Sequence, residues 1–149
     1  MKTKLIIIRG NANTGKSTVA ACVHNMLVDM YKLKDKTIPL DDDARVSTFH
    51  SNLVVEGRSI AVISEGDREQ KLKEKIDDAK SRNANIIVTC LRSKNRKGSS
   101  CRMMMTDYPE LYNESVQVWT SFSTDKSMII PLKKAVAEVI VNIIVKLIK

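Results

Sequence analysis

Residues 10–18 read GNANTGKST, and their types and spacing are those of a phosphate-binding loop. Gly10 and Gly15 permit a tight turn in which backbone N–H groups face inward around phosphate oxygens. Lys16 can then reach the β- and γ-phosphates, and the Ser17 hydroxyl can bind Mg²⁺. Because the four fixed positions of this pattern co-occur by chance in under about 1% of chains this long, the pattern predicts phosphate binding.

The loop is flanked by the two elements that must position it. KLIIIR, residues 4–9, is a short apolar run that predicts a strand buried on both faces. Residues 16–30 place apolar side chains at helical spacing, and the positive N-terminal end of such a helix points at the bound anion. The predicted nucleotide-binding residues are Gly10, Asn11, Ala12, Asn13, Thr14, Gly15, Lys16, Ser17 and Thr18.

Residues 4–27, KLIIIRGNANTGKSTVAACVHNML, resemble the opening of a P-loop NTPase. The GKST-x-A start of the helix is similar to small P-loop kinases that act on nucleotides, polynucleotides or metabolites. This resemblance implies ATP or GTP as a ligand, Mg²⁺ as the metal, and a second acidic residue near that metal. Since the chain has no N-K-x-D sequence for guanine recognition, we expect ATP or another nucleoside triphosphate.

The rest of the chain alternates predicted strands and helices. The predicted elements after the first helix are a weak strand at 36–40, a hairpin within 44–64 with Gly57 in its turn, a polar helix at 67–83, a buried strand at 85–91 and a strand within 114–122. Such alternation predicts a parallel sheet covered on both faces. We therefore expect one α/β domain spanning residues 1–149, a three-layer α/β/α P-loop NTPase fold with a mostly parallel central sheet and an antiparallel edge hairpin.

A last helix is predicted over about residues 131–149. Most of its circumference is apolar, so it needs cover on nearly all sides. Packing against the sheet is the favoured explanation, and a homodimer interface or contact with a membrane surface are the alternatives. Its polar positions recur every four residues, at Lys134, Glu138, Asn142 and Lys146.

Two carboxylates follow the apolar run at residues 60–63 and are candidates for the metal-side acid that the resemblance implies. We favour Asp67 slightly over Glu65. The alternatives are that Asp67 caps the next helix, with Gln70 reaching back to it, and that Glu65 is a solvated loop end.

The acidic run Asp41–Asp43 is the rival metal site, although such a run is more often a solvated loop. In small kinases the acceptor substrate often sits against the region after the second strand, so the resemblance implies Asp42 and Arg45 as candidate acceptor contacts. A general base, where one is needed, would be one of these three aspartates or Glu65.

The basic stretch at residues 91–102, LRSKNRKGSSCR, resembles the arginine-bearing lid that small kinases carry between their fourth and fifth strands. Arg92 is the candidate catalytic arginine because it stands nearest the strand end, and its planar fork suits phosphate oxygens during transfer. The segment is short and has no full lid motif. Two alternatives stay open: a solvated basic loop, and a less favoured nucleic-acid patch, since aromatic residues for base stacking are scarce there.

The composition limits partners and surroundings. Lys plus Arg exceed Asp plus Glu by 25 to 17, a net charge of +8, which favours anionic partners. Three widely spaced cysteines without a C-x-x-C pair are typical of free thiols in a reducing cytosol. No apolar stretch is long enough to predict a membrane span, so we expect a cytoplasmic protein.

Three functions compete on this evidence. The favoured one is a phosphotransferase that moves the γ-phosphate of ATP·Mg²⁺ to an unidentified acceptor, with Lys16, Arg92 and Asp67 as catalytic residues and Ser17, Asp67 and Glu65 as metal ligands. The second is a nucleotide-hydrolysing switch or regulator. The third is a nucleotide-binding module with little turnover that acts through a protein partner.

Overall fold

The computed structural model describes residues 1–10, 15–40, 46, 48–64, 68–92, 99–120 and 123–149, and of Arg92 the backbone alone. Helices and strands alternate along these residues. The elements in chain order are β1 (Lys4–Gly10), α1 (Lys16–Met30), β2 (His50–Val55), β3 (Arg58–Ile63), α2 (Glu69–Ser81), β4 (Ile86–Arg92), α3 (Ser100–Asp107), α4 (Pro109–Asn113), β5 (Val116–Trp119) and α5 (Lys126–Ile148).

The strands form a single mostly parallel sheet in the order β2-β3-β4-β1-β5. Each neighbouring pair is parallel except β2 and β3, which form the predicted antiparallel hairpin at one edge. Glu56 and Gly57 form its two-residue turn with φ of 50° and 78°. Positive φ at both central residues is what a tight hairpin turn of this hand requires, so the placing of Gly57 in the turn is confirmed.

Helices cover both faces of the sheet because the apolar side chains of the strands alternate between two cores. In β1, Ile6 and Ile8 pack with α1 and α5. Leu5 and Ile7 face the opposite side and pack with α2 and α3. All four side chains are at most 1% exposed, and full burial of each contributes about 1.5–3 kcal/mol. A strand buried on both faces is what its uninterrupted apolar run predicts.

The prediction of a strand at residues 36–40 is wrong, because these residues are not paired into the sheet. Side chains of α1 hold this segment instead. The side-chain amide of Asn25 donates to the carbonyl of Ile38 at 2.9 Å and accepts from its N–H at 2.7 Å. Buried His24 contacts the carbonyl of Lys36 at 2.8 Å and the hydroxyl of Ser51 at 2.8 Å. His24 is therefore structural.

Helix α5 begins a turn earlier than predicted. Asp125 caps it, with its carboxylate accepting from the N–H of Ser127 at 3.0 Å, and Pro131 lies inside the helix rather than at its start. The apolar side of α5 packs on α1 and the sheet, so the favoured explanation for its apolar surface is confirmed. No helix among the residues described has the length and apolar character needed to cross a bilayer.

Candidate phosphate-binding site

The two ends of the predicted phosphate loop lie close together in space. Strand β1 ends at buried Gly10, and α1 begins at Lys16. The Nζ of Lys16 donates to the carbonyl of Gly10 at 3.2 Å, and the lysine is only 7% exposed. The lysine side chain therefore reaches the end of β1. Residues 11–14, predicted to bind nucleotide, lie outside the described part of the chain.

The turn into α1 depends on Gly15. Its φ is 80° and its ψ is 26°, a left-handed conformation that costs little only for glycine. The first helical hydrogen bond follows at once, from the N–H of Val19 to the carbonyl of Gly15 at 3.0 Å. Gly15 has no side chain to cap the helix, and the first turn carries no acidic residue. The positive end of a 15-residue helix is thus available to an anion.

Ser17 and Thr18 follow in the first turn of α1. Ser17 is partly exposed and Thr18 is 2% exposed. Burial of Thr18 places its side chain against the protein rather than at the surface.

The sheet topology gives this end of β1 a further property. After β1 the chain enters α1 on one face of the sheet, and after β4 it enters α3 on the other face. Two adjacent parallel strands whose following helices lie on opposite faces define a crevice at their carboxyl ends. In open α/β sheets, ligands bind in such crevices.

Arg92 lies at that crevice. It is the last residue of β4, and the register of β1 with β4 pairs Gly10 with Arg92. The backbones of the first loop residue and of the candidate catalytic arginine are therefore neighbours. The rest of the basic segment, residues 93–98, lies outside the described residues.

The predicted acidic residues Glu65 and Asp67 also lie outside the described residues, as do Asp41–Asp43 and Arg45. Strand β3, which leads towards Glu65, ends at Ile63 opposite Thr89 of β4. Since β4 separates β3 from β1, the strand before the acidic pair is not the direct neighbour of the loop strand. No cluster of three or more His, Cys, Asp or Glu side chains forms among the residues whose structure is described.

A second buried lysine, which sequence reasoning missed, lies at the same end of α1. Lys133 of α5 is 4% exposed, and burial lowers its pKa. A Cβ built on Gly15 would lie 2.5 Å from the Cε of Lys133 and 3.2 Å from its Nζ. The lysine side chain therefore lies directly against the turn. Its sequence signal is weak, because nothing in a helical pattern distinguishes a buried lysine from an exposed one.

The buried cation that precedes Gly10 has a different set of neighbours. Arg9 donates from Nη1 to the hydroxyl of Tyr112 at 2.9 Å and to the side-chain carbonyl of Gln117 at 3.2 Å. Its guanidinium lies 5.4 Å from the centre of the Trp119 ring. These contacts join β1 to β5 and α4, so Arg9 supports the strand that carries the loop.

The described residues fit a polyphosphate group. Two buried ammonium groups and the N-terminal end of a long helix lie near the carboxyl end of β1, and each favours an anion. For the metal they supply the Ser17 hydroxyl. No family model, no curated protein and no solved structure matches this chain.

Proposed function

We propose that this chain binds a nucleoside triphosphate, ATP with Mg²⁺, at residues 10–18, and that it is a phosphotransferase with a P-loop fold. The observation that carries the proposal is the contact of the buried Lys16 ammonium with the carbonyl of Gly10 across the turn at Gly15. It occurs between a buried strand and a helix N-terminus, the context in which the sequence pattern has its mechanism. The crevice between β1 and β4 supports the same location.

The chain's own groups would act by positioning and by charge stabilisation. Bound ATP supplies the phosphoryl group. Lys16 moves its ammonium from the Gly10 carbonyl to phosphate oxygens, and the N–H groups at the start of α1 donate to the same anion. Ser17 would hold Mg²⁺. Since Lys16 and Ser17 lie on the regular helix α1, the change in Lys16 would be confined to its side chain, which limits the reorganisation that opposes transfer.

Arg92 would act in the transfer step. Its backbone pairs with Gly10 in the sheet, which supports a role for it beside the phosphates. Its planar, permanently charged fork would stabilise charge as the phosphoryl group moves. Glu65 and Asp67 remain the proposed metal-side acids, with Asp67 favoured. Arg45 and Asp42 remain proposed acceptor contacts.

The decisive experiment follows ATP binding and the fate of its phosphate. Thermal-shift titration with ATP and Mg²⁺ should stabilise the wild type, and Lys16→Ala should weaken ATP binding by about tenfold to hundredfold. Lys34→Ala, which removes an exposed lysine after α1, is the matched control and should bind like the wild type. Equal stabilisation of Lys16→Ala and the wild type by ATP would overturn the phosphate-loop assignment.

Incubation with γ-labelled ATP, Mg²⁺ and a panel of metabolites and oligonucleotides then separates the activities. Label on an acceptor supports the phosphotransferase. Release of label to water without any labelled acceptor would favour the hydrolysing switch. Binding without transfer or release would favour the nucleotide-binding module, and both of these outcomes contradict the proposed activity.

A further inference from the structure

Lys133 begins the buried stripe of α5. The buried positions of this helix recur at helical spacing and are Lys133, Val136, Ala137, Ile140, Val141, Ile144 and Ile148. All but the first are apolar and pack on the same core as α1. A lysine thus occupies the stripe position nearest the phosphate loop, where an apolar residue would continue the pattern.

The side chain of this lysine lies against the turn of the loop. Its Cε would be 2.5 Å from a Cβ on Gly15, closer than real Cβ contacts allow, and its Nζ would be 3.2 Å from the same point. Only the absence of a side chain at Gly15 leaves room for it. The ammonium therefore lies beside the residue that directly precedes Lys16.

Burial of an ammonium at this position opposes its charge. Burial lowers the pKa of Lys133, because removal from water disfavours the charged form. A bound polyphosphate would favour the charged form, since an anion in a poorly hydrated site interacts strongly with a nearby cation.

We propose that Lys133 is a second phosphate-binding lysine, through which α5 takes part in binding the polyphosphate of the nucleotide. This inference rests on the proposed function and adds a residue that lies far from the loop in sequence. Lys16 would bind from the start of α1, and Lys133 would bind from α5 on the other side of Gly15.

A purely structural role makes a different prediction. If the aliphatic stem of Lys133 only fills space between α5 and Gly15, then methionine should replace it without loss of ligand affinity. If the ammonium binds phosphate, then methionine should weaken the binding of polyphosphate ligands more than the binding of AMP. Lys134, the next residue on the same helix, is exposed and provides a matched control for the loss of one positive charge.

The experiment compares wild type, Lys133→Met and Lys134→Met by calorimetric titration with ATP, tripolyphosphate and AMP in the presence of Mg²⁺. We expect Lys133→Met to weaken ATP and tripolyphosphate binding about tenfold or more, with a smaller effect on AMP. Lys134→Met should change each affinity by less than about twofold, as expected for an exposed charge.

Two results would overturn the inference. One is ATP affinity of Lys133→Met equal to that of Lys134→Met. The other is a lower melting temperature with equal losses for ATP and AMP, which would assign the lysine to the fold. In both cases the wild type would still bind ATP and Lys16→Ala would still bind it more weakly, so the proposed function would stand. Failure of the wild type to bind ATP or tripolyphosphate would remove both proposals.

Discussion

Gly15 and Gly57 adopt nearly the same backbone conformation in two different surroundings. Their φ angles are 80° and 78°. A Cβ at Gly15 would collide with Lys133, whereas a Cβ at Gly57 would meet nothing within 4 Å. The hairpin turn at Gly57 therefore needs glycine only for its backbone. The loop turn at Gly15 needs it both for the backbone and for the approach of a charged side chain from another helix, which is typical of a site rather than of a simple turn.

The largest effect on stability is expected in the hairpin and should leave the site intact. Leu53 of β2 is fully buried against the α1–α5 core. Leu53→Ala should lower the free energy of unfolding by about 2–5 kcal/mol, because it removes buried methyl groups and leaves a cavity. Urea denaturation measures this loss. Val54→Ala, at a neighbour that is 64% exposed, is the control and should change stability by less than about 0.5 kcal/mol.

Under conditions in which Leu53→Ala is fully folded, its affinity for ATP should equal that of the wild type. A loss of affinity comparable to that of Lys16→Ala would contradict the division between a structural hairpin and a binding loop.

Gly15→Ala should have the next largest effect on stability and should also impair binding. A left-handed conformation costs a non-glycine residue about 1–3 kcal/mol, and Lys133 must shift to admit the new methyl group. We expect that destabilisation together with at least about tenfold weaker ATP binding. Urea denaturation and calorimetric titration measure the two losses.

The double variant Gly15→Ala/Lys133→Ala tests how much of the loss of stability comes from crowding between the new methyl group and Lys133. Truncation of the lysine removes the atoms that the new methyl group would meet, so the double variant should be less destabilised than the sum of the two single variants. Strict additivity would show that the lysine does not crowd Gly15 in solution.

Gly57→Ala should have the smallest effect. The left-handed backbone costs alanine about 1–2 kcal/mol, and reduced freedom of the unfolded chain offsets about 0.4–1 kcal/mol of that loss. Gly57→Asn is the control and should lose less, since asparagine tolerates this conformation. ATP binding should not change in either variant. A larger loss of stability in Gly57→Ala than in Gly15→Ala would reverse the comparison.

Regular patterns in the sequence predicted most of the elements. Helix α1 begins and ends where its apolar spacing indicated, and α2 lies within the polar helix predicted at residues 67–83. Two predictions were wrong, the start of α5 and the strand at residues 36–40, and in both places the structure depends on a single side chain. Asp125 caps α5 a turn before Pro131, and Asn25 binds the backbone near Pro39 in place of a neighbouring strand.

The candidate site was predictable only in its local part. The pattern from Gly10 to Ser17 identified the loop because its residues are contiguous in sequence. The contribution of Lys133 depends on how α5 packs beside α1, and the placing of Arg92 beside Gly10 depends on strand order. Neither relation leaves a periodic signal in the sequence.

The interior position of β1 in the sheet has a consequence for folding kinetics. Its two neighbours are β4 and β5, which follow it by many tens of residues, so both of its edges are paired only after long loops have closed. Until then the chain presents an aliphatic strand with two open edges, the kind of segment that pairs with other chains. We therefore expect the refolding yield to fall as the protein concentration rises.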